Sequence, residues 1–110
     1  MLNYKELPPV LAEFLEAQNK FDAEAFVRNF AADATVHDEG KDYRGLPQIK
    51  QWNEATNAKY HTQMEAIELT ANGQETILTV LMSGTFDGSP LPAKFCFIIS
   101  DHKIKSLVVR

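Results

Sequence analysis

A single cysteine, Cys96, in 110 residues leaves no intrachain disulfide framework. It lies between Phe95 and Phe97, which points to a buried, inert thiol, and no Cys or His stands close enough in sequence to complete a metal site with it. Positive charge is also scarce. Eleven Lys and Arg against fifteen Asp and Glu give a net charge of −4, with no basic run. Neutralising nucleic-acid phosphates needs clustered cations, so no nucleic-acid partner is expected. No apolar run approaches the roughly 20 residues of a membrane span. The opening MLNYKELPPV lacks the charged-then-apolar form of a signal peptide, so a reducing cytoplasm is the expected location. No histidine pair has helical ligand spacing, and no phosphate loop, dinucleotide glycine pattern or Ser-His-Asp elbow occurs. No metal and no cofactor are expected.

The length fits one domain, residues 1–110. The first half reads helical. In LPPVLAEFLEAQNK the prolines stand near the start, where a missing N–H costs little. Leu7, Leu11, Phe14, Leu15 and Gln18 then follow helical spacing. Asp22 is a good N-cap for a second helix, AEAFVRNFAA. A short strand is expected over 34–38, then a loop, EGKDYRGL. Pro47 opens a third helix whose inner face carries Ile49, Trp52, Asn53, Thr56 and Tyr60. That face is more polar than a plain core stripe.

From residue 61 the period changes to two. HTQMEAIELTANG and QETILTVLMSGTF read as strands joined through Asn72-Gly73, a strong hairpin signal. AKFCFIIS and IKSLVV are the last two strands. Helices first and an antiparallel meander after them predict an α+β domain with helices on one face of the sheet. Ile77 and Leu81 alternate with Leu78, Val80, Met82 and Phe86, and Cys96 and Ile98 alternate with Phe95, Phe97 and Ile99. Both sheet faces are therefore apolar, and a homodimer through the sheet is expected to cover the second one, the alternative being a strongly curled sheet that partly covers itself.

Strand alternation sorts the acid and the histidine in ATVHDEG. Ala34, Val36 and Asp38 share one side, Thr35 and His37 the other. Val36 should face the core, so Asp38 should face inward with it. A carboxylate in an apolar enclosure is less willing to stay charged and can take a proton from carbon near neutral pH. The alternative is a turn former that binds the N–H groups of Glu39 and Gly40. Trp52, Asn53, Thr56 and Tyr60 are open to two readings as well, core or pocket wall.

The stretch FAADATVHDEGKDYRGLPQIKQW resembles the nuclear transport factor 2-like superfamily, especially its SnoaL-like and ketosteroid-isomerase-like branches. Residues 30–38 carry F-x-x-D-A-T-V-x-D and residues 44–49 carry R-G-x-x-x-I. The preceding NKFDAEAFVRNF matches the usual link and second helix. The resemblance implies a cone-shaped, cystatin-like roll: three N-terminal helices on a curved, mostly antiparallel sheet, with a pocket at one end. It implies Asp38 as a general base in an isomerase, cyclase or dehydratase type of reaction on a small apolar molecule. It implies pocket walls from Phe14, Trp52, Tyr60, Met82, Phe95 and Phe97, with Tyr43 or Asn53 orienting the ligand. Ketosteroid isomerases carry an oxyanion-stabilising tyrosine and a protonated aspartate. Phe14 and Phe95 fall at or near those positions, and neither can donate a hydrogen bond. Steroid isomerisation by that route is therefore not expected. The alternative function is a noncatalytic small-molecule-binding or dimeric accessory domain, and a third is a protein-interaction module.

Overall fold

Strand order β2-β1-β6-β5-β4-β3 sets the frame of a curved, unclosed six-stranded sheet. The computed structural model describes residues 2–110, apart from the side chain of Tyr4. The strands are β1 (Phe30–Asp38), β2 (Lys41–Arg44), β3 (Gln63–Asn72), β4 (Glu75–Ser83), β5 (Leu91–Ser100) and β6 (Lys103–Val109). Helices α1 (Pro9–Asn19), α2 (Ala23–Val27) and α3 (Gly45–Tyr60) cover the inner face. Only β1 and β6 pair in parallel; all other neighbours are antiparallel. Register shifts between Phe30 and Thr35, Ala66 and Glu68, and Ile98 and Ile99 bend the strands and curl the sheet around α3. The α+β roll expected from the sequence is thus the observed architecture. Among the described residues, no helix is long and apolar enough to cross a membrane.

Two boundaries differ most from the sequence reading, and the third helix also starts at Gly45 rather than Pro47. The second helix ends at Val27, and Phe30 already belongs to β1. Asn29 stops the helix: its side chain donates to the Ala25 and Phe26 carbonyls, and its own carbonyl accepts from Ile104 N–H at 2.8 Å. That last bond starts the parallel pairing with β6. The segment after Asp38 is not a plain loop. Glu39 and Gly40, at φ +53° and +76°, make a two-residue turn into β2. Two positive φ values match the right-handed twist of the flanking strands. The polar KDYR suits an edge strand, where charges discourage further pairing.

The core is built around phenylalanine. Phe14 is fully buried, with ring centres of Phe26 at 4.9 Å, Phe97 at 5.2 Å, Phe95 at 6.1 Å and Phe30 at 6.2 Å. It joins both short helices to the middle of the sheet. Asp22 caps α2 as expected, accepting from Ala25 N–H at 3.1 Å. On the outer face, Thr70, Ile77, Cys96, Val108, His37 and Asp42 form one row across all six strands. Cys96 is buried within that row.

Candidate functional site

Alternation along β1 turns Ala34, Val36 and Asp38 inward, as read from the sequence, and leaves His37 on the outer face beside Val108. There His37 Nδ1 lies 2.7 Å from Asp42 Oδ1, across the sheet from Asp38. Asp38 is half-buried at the end of its strand. Trp52 Nε1–H donates to its Oδ2 at 3.1 Å, a bond strengthened by the carboxylate charge. No N–H of Glu39 or Gly40 bonds the carboxylate among the described residues, so the turn-forming geometry is not the one adopted. Tyr43 stacks behind Trp52 with ring centres 6.0 Å apart, which fixes the indole.

Asp38 borders a cavity of about 260 Å³. Trp52, Asn53, Thr56 and Tyr60 of α3 form one wall, and Met64, Met82, Phe95 and Val109 of the sheet form the other. Gln18, Thr62, Glu39, Phe86 and Leu91 complete the lining. The volume sits just below the usual span of about 300–1,000 Å³ for drug-sized ligands, so a molecule of one or two rings fits. The segment after β4 is pinned over the cavity. Thr85 N–H donates to the Tyr60 carbonyl at 2.8 Å, Thr85 Oγ1 donates to the Lys59 carbonyl at 3.3 Å, and Phe86 meets Tyr60 edge-on at 5.9 Å. Gly84 permits this approach, because a Cβ there would lie 2.3 Å from the Tyr60 carbonyl oxygen. The Lys59 ammonium lies 5.0 Å from the Tyr60 ring centre. Interaction with the Tyr60 side chain holds its pKa above the usual lysine value, with a weaker contribution from Glu39.

The polar part of α3 closes on α1 through a ring of three amides. Gln18 Nε2 donates to Asn57 Oδ1 at 2.8 Å, Asn57 Nδ2 to Asn53 Oδ1 at 3.3 Å, and Asn53 Nδ2 to Gln18 Oε1 at 2.8 Å. Gln18 also donates to the Thr62 carbonyl at 3.1 Å. Asn53 and Asn57 are four residues apart and share a helix face. Gln18 and Asn53 border the cavity; Asn53 and Asn57 also border a broad polar groove on the molecular surface.

Seven residues singled out from the sequence thus meet in one place: Asp38, Trp52, Asn53, Thr56, Tyr60, Met82 and Phe95. Phe14 and Phe97 lie in the phenylalanine core and Tyr43 lies behind Trp52; none of the three lines the cavity. The sequence reading missed Gln18 and Asn57 as site residues. The signal was present, since Gln18 falls on an otherwise apolar helical stripe and Asn57 lies one turn after Asn53. Among the described residues, no three His, Cys, Asp or Glu groups converge as a metal would require.

The profile of the SnoaL-like domain matches residues 11–107, and the chain belongs to that family. A candidate polyketide cyclase of Sinorhizobium meliloti superposes with a TM-score of 0.93 at 29% identity, covering 99% of this chain and 100% of its own. A protein of ketosteroid isomerase-like fold from Catenulispora acidiphila, solved with trimethylamine, superposes at 0.82 with 21% identity, covering 94% and 85%. A cystatin-fold protein of Novosphingobium aromaticivorans superposes at 0.75 with 16% identity, covering 100% and 99%. The latter two are alike in fold alone. No curated protein matches the sequence.

Proposed function

We propose that this chain binds a small apolar molecule in the cavity beside Asp38, and that Asp38 acts on it as a general base in isomerase, cyclase or dehydratase chemistry. The observation that carries the reading is the placement of the Asp38 carboxylate, with Glu39 beside it, on a mostly apolar wall. Trp52 holds its Oδ2, while Oδ1 has no hydrogen-bond partner among the described residues. A base must come within about 2.6–3.2 Å of the proton it removes, and a fixed carboxylate edge at a cavity provides that approach. Trp52, Tyr60, Met82 and Phe95 supply the walls and Asn53 a polar contact.

The second reading is a noncatalytic binder. It is favoured by Phe14 and Phe95, which fall at or near the positions where the resemblance implies the two enolate-stabilising donors of ketosteroid isomerases. Exchange of a ketone's α-hydrogens in D2O separates the two. With 1-tetralone as probe, the base reading expects the wild type to accelerate loss of the α-proton NMR signal, and Asp38→Asn to lower that rate by about 10²–10⁴. Binding of the ketone without accelerated exchange leaves the noncatalytic reading.

A homodimer through the outer sheet face and a cytoplasmic location complete the proposal. Partly exposed Ile77, Leu81 and Val108, with exposed Ile98, support the dimer. The scarcity of cysteine supports the location.

A further inference from the structure

Gln18, Asn53 and Asn57 are each more than nine-tenths buried, at 3%, 3% and 8% exposure. Buried amides are costly unless hydrogen-bonded, and the ring meets most of that need. It does more than tie α1 to α3. The Thr62 carbonyl can only accept, so the Gln18 group facing it must be nitrogen. That choice propagates: Gln18 nitrogen also faces Asn57 oxygen, Asn57 nitrogen faces Asn53 oxygen, and Asn53 nitrogen faces Gln18 oxygen. Flipping Asn53 would set oxygen against oxygen at Gln18 and nitrogen against nitrogen at Asn57. Its polarity at the cavity edge is therefore fixed. Asn53 Nδ2 carries two hydrogens, and only one has an acceptor among the described residues.

The rest of the lining bears on charge. It holds two carboxylates, Asp38 and Glu39, and no Lys, Arg or His. Lys59, next to Tyr60 in sequence and outside the lining, has its ammonium 5.0 Å from the Tyr60 ring centre. An anion entering this space would lose its water beside like charge, with only amides and hydroxyls to receive it.

We infer that the cavity selects an uncharged ligand bearing an oxygen acceptor, such as a ketone or ester carbonyl, and excludes carboxylates and phosphates. Asn53 donates its second N–H to that oxygen. Gln18 and Asn57 are positioning residues that keep Asn53 nitrogen-first. This rests on the reading of the cavity as a ligand site, but not on Asp38 acting as a base.

Three probes of one skeleton test it: 1-tetralone, tetralin, which lacks the carbonyl, and 1-naphthoate, which carries a charge. Affinities come from titration of the Trp52 fluorescence, and the Asn53 side-chain NH2 pair is followed in ¹⁵N–¹H spectra. The ketone is expected to bind about five- to tenfold tighter than tetralin, the worth of one neutral hydrogen bond. Naphthoate is expected not to bind where the ketone saturates. The Asn53 amide signals should move with tetralone and stay with tetralin. Asn53→Ala should equalise ketone and hydrocarbon; if that variant does not fold, the wild-type amide shift decides. Equal affinities in the wild type, unmoved Asn53 signals or tight naphthoate binding each overturn the inference and leave the cavity reading standing. Failure of all three probes to bind at millimolar concentration overturns both.

Discussion

Replacing Gln18 by leucine removes a side chain of similar size and leaves its former partners in place. Three hydrogen bonds go with it: those it donates to Asn57 and the Thr62 carbonyl, and the one it accepts from Asn53. Each lost bond costs about 1 kcal/mol net, and the abandoned partners are buried where water cannot replace Gln18. The expected loss is about 3 kcal/mol, set against a total stability of about 5–15 kcal/mol for a domain. At about 4 °C per kcal/mol for this chain length, the midpoint should fall by about 12 °C. Asn53→Leu and Asn57→Leu each break two bonds of the ring and should cost about 2 kcal/mol apiece. The triple leucine variant distinguishes a ring from three independent contacts. The singles count each ring bond twice, whereas the triple variant loses each once and leaves only the Thr62 carbonyl without its Gln18 donor. Its loss should therefore fall short of the sum of the singles by about 3 kcal/mol. Urea unfolding of all four variants, read by tryptophan fluorescence and circular dichroism, gives the comparison. A Gln18→Leu loss below about 1 kcal/mol, or strict additivity of the three substitutions, refutes the closed ring.

Gly84→Ala should cost about 2–4 kcal/mol in the same assay, because the new Cβ meets the Tyr60 carbonyl oxygen at 2.3 Å and strains the Thr85–Tyr60 bond; an unchanged midpoint would show that the segment after β4 is not pinned to α3. Lys105 donates to Asp33 across β6 and β1, and this hydrogen bond holds the Asp33 pKa below the usual aspartate value. A depressed carboxylate stabilises the fold above its unfolded pKa, and that contribution disappears as pH falls through its lower folded value. An NMR titration should find Asp33 below the usual value in the wild type and back near it in Lys105→Ala; identical titrations would remove the pair. Ile98→Glu puts a charge on the exposed outer face and should turn the proposed dimer into a monomer in sedimentation, so a wild type that already sediments as a monomer ends that proposal.

Residue order alone determined the class of fold. The change from helical to alternating period at residue 61 separates helices from meander, and the Asn72-Gly73 signal marks the hairpin from β3 to β4, although Asn72 pairs with Glu75 and the turn itself is Gly73-Gln74. Parity alone separated Asp38 from His37, because a strand sends neighbouring side chains to opposite faces whatever it pairs with. Local reasoning ended where distant partners decide. The Asn29 carbonyl ends α2 and starts β1 by meeting Ile104, 75 positions along the chain. The turn at Glu39-Gly40 gave no strong signal, since glutamate is an unusual residue at positive φ and its cost is borne by the pairing on either side. The cavity depended most on tertiary structure. Phe14, Phe95 and Phe97 read alike in sequence, yet only Phe95 borders the cavity, because the sheet curls around α3 and places Phe14 and Phe97 in the core. Gln18 and Asn57 acquire their meaning only when α1 and α3 meet. A lone amide on a helical stripe is a polar interruption, whereas three closed into a ring fix which atom Asn53 presents to a ligand.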